Sequence, residues 1–169
     1  MFRDATIADA DFIFALRTDP RKGKYLSNAS PELSKQIAWL EAYACKTDET
    51  YFIIENKCAE KLGTIRLYDQ QGNSFCWGSW VLKDGAPQSA AHESVLMVYS
   101  YAIDHLGFRS AHFDVRKGNE SVCRFHERFG AERVEETAIN YLYQIDLIHI
   151  VAARLRYKKY LPERVNVEW

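Results

Sequence analysis

Apolar and polar positions recur along this chain with two periods, and they divide it into short elements. Residues Ala8 to Arg17 carry Phe12, Ile13 and Leu16 at helical spacing. Thr18-Asp19-Pro20 ends that helix, because a residue before proline avoids the helical region. A basic loop follows, Arg21-Lys22-Gly23-Lys24-Tyr25-Leu26. Ser30 as N-cap and Pro31 at the first position predict a second helix, with Leu33, Ile37, Leu40 and Ala44 on one stripe. The period then shortens. Tyr51–Ile54, Gly63–Tyr68 and Ser74–Leu82 read as three strands, joined by turns at residues 56–61 and 70–73. Lys83-Asp84-Gly85-Ala86-Pro87 breaks the pattern. A helix from Ser89 to His105 places Val95, Val98, Ala102 and Leu106 inward, and Gly107 closes it. Ala111–Val115 is a strand, and Lys117-Gly118-Asn119 turns into a helix over 120–129 that Gly130 closes. Tyr141–Leu147 is a last strand. A basic helix from His149 to Tyr160 stops at Pro162.

With a short strand before the first helix, this order is mixed α+β. The three middle strands have the spacing of an antiparallel meander. The crossover through residues 89–105 joins a parallel strand pair. No repeat or linker interrupts residues 1–147, which read as one domain. Residues 148–169 form a basic helix and tail.

Composition removes several classes. A chain of 169 residues can bury about 70% of its unfolded surface, enough for a core without disulfides or metal. Apolar residues are 47%, charged residues 27% and the net charge is −1, so neither nucleic acid nor a membrane surface is implied as partner. No apolar run has the length of a membrane span, and Met1-Phe2-Arg3-Asp4 opens no signal segment. Cys45, Cys58, Cys76 and Cys123 are scattered, which predicts reduced thiols and a cytoplasmic location. The histidines lack metal-ligand spacing, so no metal site is expected. The final helix carries Arg154, Arg156, Lys158 and Lys159. That charged face suits either solvent or a partner, with a homodimer among the candidates.

Tyr101-Ala102-Ile103-Asp104-His105-Leu106-Gly107-Phe108 and Val115-Arg116-Lys117-Gly118-Asn119, continuing to Arg128-Phe129-Gly130-Ala131, stand in a familiar order. They resemble the GNAT superfamily of acyl-CoA-dependent N-acetyltransferases. The likeness is greatest to the branch with ribosomal-protein N-terminal and bacterial amino-sugar acetyltransferases, and it covers roughly residues 3 to 147. It implies a mostly antiparallel central sheet with a splayed parallel pair, Ser74–Leu82 and Ala111–Val115, and flanking helices. Acetyl-CoA is the implied cosubstrate. The implied acceptor is a small-molecule amine, such as an amino sugar, or a protein N-terminus.

The resemblance also implies site residues. The backbone at Trp80, Val81 and Leu82 would bond the pantetheine amides, and Ser89, Ala90, Ala91 and His92 would receive the pyrophosphate at a helix N-terminus. The family's Arg/Gln-x-x-Gly-x-Gly/Ala loop here reads Ala86-Pro87-Gln88-Ser89-Ala90-Ala91, so only the last slot matches. Ser89 and Asn119 also suit plain helix N-caps. His126 stands where the family places a tyrosine acid, and an ordinary histidine can donate a proton near neutral pH. Packing on a helix is its other reading. Cys76 occupies the family's glutamate slot. Among Asp69, Glu93 and Asp114, Asp114 is the preferred base, with solvent as the alternative. Tyr25, Arg66 and Trp80 are the candidate acceptor contacts. Cys123 beside His126 reads as packing. The departures leave a second function class open, an acyl-CoA-binding or interaction module without catalysis.

Overall fold

Seven strands and five α-helices carry the fold among the described residues, which in this computed structural model are 1–26, 30–161 and 164–167. The strands are β1 (Phe2–Asp4), β2 (Thr50–Glu55), β3 (Lys61–Gln71), β4 (Ser74–Leu82), β5 (Ser110–Arg116), β6 (Glu132–Glu136) and β7 (Asn140–Asp146). The helices are α1 (Ala10–Thr18), α2 (Leu33–Tyr43), α3 (Ala90–Ser100), α4 (Glu120–Phe129) and α5 (Leu147–Arg156). Hydrogen-bonded neighbours run β1-β2-β3-β4-β5-β7-β6. The sheet is mostly antiparallel, and β4 with β5 is its parallel pair. The predicted α+β class and parallel crossover are therefore present.

The chain divides into two compact units, residues 1–69 with 77–86, and residues 70–76 with 87–169. In the first, the apolar stripes of α1 and α2 meet one face of β2. Ile13, Leu40, Tyr43, Tyr51 and Ile53 form the buried cluster there. Arg3 donates to both Asp9 oxygens at 3.0 and 2.9 Å, and Lys61 lies 2.7 Å from the same carboxylate. Burial by itself would raise the Asp9 pKa, but Arg3 and Lys61 outweigh it and hold the carboxyl well below its usual range.

Close approach of β3 and β4 depends on Gly63. A Cβ there would lie 2.2 Å from the Val81 carbonyl oxygen, a backbone atom that cannot swing away. Gly63→Ala is expected to destabilise the protein by roughly 1–3 kcal/mol, the range for overpacking. Urea unfolding would show the loss as a lower midpoint with an unchanged m-value.

In the second unit the parallel register is Ser74 with Ser110, Phe75 with Ala111 and Cys76 with His112. Over β5, seven residue pairs join it to β7. Ala111, Phe113 and Val115 are buried, whereas Asp114 is exposed, as strand alternation requires. Phe113 packs on His126 of α4, with ring centroids 4.4 Å apart.

Four local expectations change. Ser30-Pro31 does not open α2; Glu32, in an extended conformation, precedes its first turn at Leu33. Leu106 is exposed, not inward, because Tyr101–His105 form a π-turn. Its wider turn carries the following residue out of phase with Val95, Val98 and Ala102. Strand β6 lacks any apolar alternation to announce it, since all five residues are exposed at a sheet edge. Helix α5 starts at Leu147, two residues early, because Asp146 caps it by accepting from the His149 amide at 2.9 Å. Pro162, its expected stop, lies outside the described residues.

Candidate functional site

Arg66, a candidate acceptor contact, sits on β3 in the first unit. Its guanidinium lies 5.1 Å from the Trp39 ring and 4.6 Å from the Tyr68 ring, and it pairs with the Glu49 carboxylate. Glu49 is almost fully withdrawn from water, with a side chain 4% exposed, and Lys46 reaches it at 2.9 Å. Arg66 is thus within cation–π reach of two rings and ion-paired to a buried carboxylate, which restrains its guanidinium. Sequence reasoning missed Trp39 and Glu49. Trp39 falls outside the α2 stripe of Leu33, Ile37, Leu40 and Ala44, and a lone glutamate before a strand carries no pattern.

Strand β4 departs from the extended conformation at one residue near this group. Ser79 has φ +47°, and its carbonyl accepts from the Thr64 hydroxyl at 2.8 Å. A left-handed conformation at a residue with a Cβ costs about 1–2 kcal/mol, so the surrounding hydrogen bonds must enforce it. Gly78 leaves room for the Tyr68 hydroxyl, which would be 2.9 Å from a Cβ there. Trp80 is half-buried and meets Trp77 edge to face at 5.8 Å. Val81 is buried. The Leu82 carbonyl, expected to bond a pantetheine amide, accepts from Lys22 Nζ at 2.7 Å.

The basic loop holds itself in place. Arg21 and Lys22 both pair with Asp84, Lys22 at 2.7 Å. Gly23 has no room for a side chain, since a Cβ would lie 2.3 Å from the Arg17 carbonyl oxygen. Tyr25 ends the following short turn, with Lys24 Nζ 4.7 Å from its ring centroid. Among the described residues Lys24 is the loop cation with no carboxylate partner.

In the second unit, Ser89 occupies the N-cap position of α3, but its backbone is already helical and its side chain makes no capping bond. The Ala90 amide bonds the Pro87 carbonyl at 2.9 Å. The first turn of a helix presents N–H groups that have no intrahelical acceptor, and small residues at 89–91 allow an anion to approach them. His92 contributes only its backbone there. Its ring stacks on Tyr160 at 4.5 Å and packs against Phe125, Phe129 and Tyr157. Burial, then Arg128 and Lys159, lower its pKa. Asn119 precedes α4 in the same way, without a side-chain cap bond; its amide oxygen accepts from Ser121 at 3.4 Å.

The two residues expected to move protons are not brought together. His126 faces inward from α4, is 3% exposed, and contacts Phe113 and Phe125. Burial drives its pKa down to about 3, so the ring is neutral at pH 7. Of the two sequence readings of His126, proton donor and packed helix residue, the apolar surroundings favour the second. Asp114 projects from the opposite face of β5, beside His112, whose Nδ1 is 2.8 Å from the Ser74 hydroxyl. Asp69 and Glu93, the other candidate bases, are exposed. Cys123 is buried on α4, as the packing reading expects.

The family model for the acetyltransferase (GNAT) domain matches residues 1–132. Among solved structures, apo FdhC, a nucleotide-linked sugar GNAT, is 35% identical with a TM-score of 0.85, over 95% of this chain and 93% of that one. Spermidine N-acetyltransferase from Vibrio cholerae, in complex with CoA and spermine, has a TM-score of 0.79 at 12% identity, over 89% of this chain and 97% of that one. The latter is a likeness of fold alone. No curated protein matches.

Proposed function

The chain belongs to the GNAT acetyltransferase family, and from that membership we propose that it moves an acetyl group from acetyl-CoA to the primary amine of a nucleotide-linked amino sugar. The sugar reading rests on the 35% identity to a nucleotide-linked sugar GNAT along nearly the whole chain. Acetyl-CoA, when bound, supplies a thioester carbonyl that a neutral amine attacks. The C–N bond forms, the C–S bond breaks, the amine loses one proton and the departing thiolate gains one.

The chain's own residues bind and orient. The open first turn of α3, Ser89 to His92, receives the pyrophosphate, and the Asn119 amide adds a polar contact. The backbone at Trp80 and Val81 serves the pantetheine amides, while Leu82 remains committed to Lys22. Arg66, restrained by the nearby Trp39 and Tyr68 rings, orients the acceptor with Tyr25 and Trp80. Lys24 meets a nucleotide phosphate. Both protons pass through water, because His126 is neutral and Asp114 lies on the other face of the same strand.

The test is thiol release from acetyl-CoA with a panel of acceptors: a nucleotide-linked amino sugar, the free amino sugar, spermidine and a peptide with a free N-terminus. Turnover is expected with the nucleotide-linked sugar, at a kcat/KM at least tenfold above the rest. Faster turnover of the peptide or spermidine would overturn the sugar reading. Thermal stabilisation by acetyl-CoA without turnover of any acceptor would favour the noncatalytic binding module.

A further inference from the structure

Helix α3, the π-turn that follows it, α5 and the chain beyond α5 border a cavity of about 440 Å³ within the second unit. Pockets for small organic molecules begin at about 300 Å³ and join apolar walls to a few convergent polar groups. Here the aliphatic walls are Leu96 of α3, Leu155 of α5, and Leu161 and Val165 from the chain beyond it. Leu96 is buried and Leu155 is 68% exposed, so the apolar lining spans from the core to the solvent edge.

The remaining walls are polar, and their charges do not cancel. Arg154 donates to both Asp104 oxygens, at 3.0 and 2.5 Å, which neutralises that pair and holds α5 against the π-turn. Ser100 adds a hydroxyl, which carries no charge. Arg164 also lines the cavity and has no carboxylate partner among the described residues. The lining therefore holds one uncompensated positive charge beside four aliphatic side chains.

Two features keep these walls together. His105 donates from Nε2 to the Val165 carbonyl at 3.0 Å, which ties the residues beyond α5 to the end of the α3 segment. The π-turn Tyr101–His105 supplies both His105 and Asp104. Such turns are rare within helices and recur at functional sites.

We propose that this cavity binds an aliphatic monocarboxylate, with its carboxylate on Arg164 and its chain along Leu96, Leu155, Leu161 and Val165. A guanidinium matches the planar fork of a carboxylate. A small inorganic anion would leave the aliphatic walls unused. A neutral alcohol would leave Arg164 unpaired, and an alkylammonium would meet a like charge. Arg164 is exposed, so its pair mainly selects the ligand, and the buried chain supplies most of the affinity. The inference goes beyond acetyl transfer and uses none of the residues assigned to it.

Calorimetry on the full chain with butanoate, hexanoate and octanoate tests it. The Kd should fall about fourfold per added methylene, the fold-change equivalent to about 0.8 kcal/mol. Octylamine should bind at least about fivefold more weakly than octanoate. Arg164→Gln should raise the octanoate Kd about fivefold and remove the preference over octylamine. Leu155→Asp, which sets a carboxylate in the path of the chain, should weaken octanoate by more than about tenfold. Both positions are exposed, so melting temperature and acetyl-CoA affinity should stay at the parent values. Absence of octanoate binding at millimolar concentration would overturn the proposal. Equal binding of octylamine would overturn it too, by showing adsorption without charge selection. So would parent-like octanoate affinity in either variant, by placing the ligand elsewhere on the chain.

Discussion

Replacing His126 with phenylalanine is expected to leave turnover within about threefold of the parent, because the neutral ring is not the proton donor. A general acid removed in this way would cost roughly 10²–10⁴-fold in kcat. Stability moves instead, and in a pH-dependent manner. An unfolded histidine titrates near 6.5, whereas folded His126 titrates at about 3. Between these values the unfolded chain binds a proton that the folded chain does not, so stability falls as pH falls. From pH 6.5 to about pH 4 the loss is about 3 kcal/mol, or roughly 6–12 °C in melting temperature for a chain of this size. His126→Phe removes this component and should flatten the stability profile across that window. The depressed His92 leaves a residual slope of the same sign, and Asp9 adds a loss of the same sign as pH falls through the ordinary carboxyl value of about 3.9, where the unfolded chain takes up a proton that folded Asp9 still refuses. Denaturant midpoints for both proteins at several pH values, with kcat measured at neutral pH, check the two halves together. A large loss of kcat in a well-folded variant, with parallel stability profiles, would return His126 to the mechanism.

Ser89→Glu should abolish acetyl-CoA binding. The carboxylate would stand at the first turn of α3, where the pyrophosphate needs unpaired N–H groups. In the parent, acetyl-CoA at about 100 times its dissociation constant adds about 2.7 kcal/mol of stability. The variant should show none of that shift and should weaken affinity by more than about 100-fold. Without ligand, a glutamate near a helix N-terminus favours the dipole, so the free protein should melt no lower than the parent. Ser89→Ala is the control. Since the hydroxyl makes no capping bond, its loss should change affinity by less than about threefold. Thermal shift against an acetyl-CoA series reads all three proteins. Normal binding by Ser89→Glu would move the phosphate site away from this helix.

Much of the architecture follows from local chemistry. Leu33, Ile37 and Leu40 on α2, and Val95, Val98 and Ala102 on α3 and its π-turn, recur at helical spacing because one face must meet a core. The glycine at the end of α4 was legible because Gly130 supplies a left-handed φ of +96°, which residues with a Cβ avoid. The order of strands and helices gave the α+β class with its parallel crossover, and the segments 101–108 and 115–131 carried the resemblance to the GNAT family. The small residues at 89–91 likewise marked the start of α3.

Other properties were decided in three dimensions. Histidine spacing on α4 is the same for a solvated acid and for a buried ring; only the packing of Phe113 and Phe125 around His126 selects the second, through the cost of placing charge in an apolar site. Asp114 and His126 are twelve residues apart in sequence; strand alternation turns Asp114 to one face of β5, while His126 of α4 packs on Phe113 at the other. The Arg66 layer joins Tyr68, two residues along the same strand, to Trp39 and Glu49, which no sequence period links to it. The apolar side of α5 shows the limit most clearly. Its sequence carries apolar residues on two faces, and periodicity cannot tell which is inside; burial of Ile150 and Ala153 decides, and leaves Ile148, Val151 and Leu155 facing solvent. A linear pattern records which side chains avoid water, whereas the neighbours that remove them from it come from distant parts of the chain.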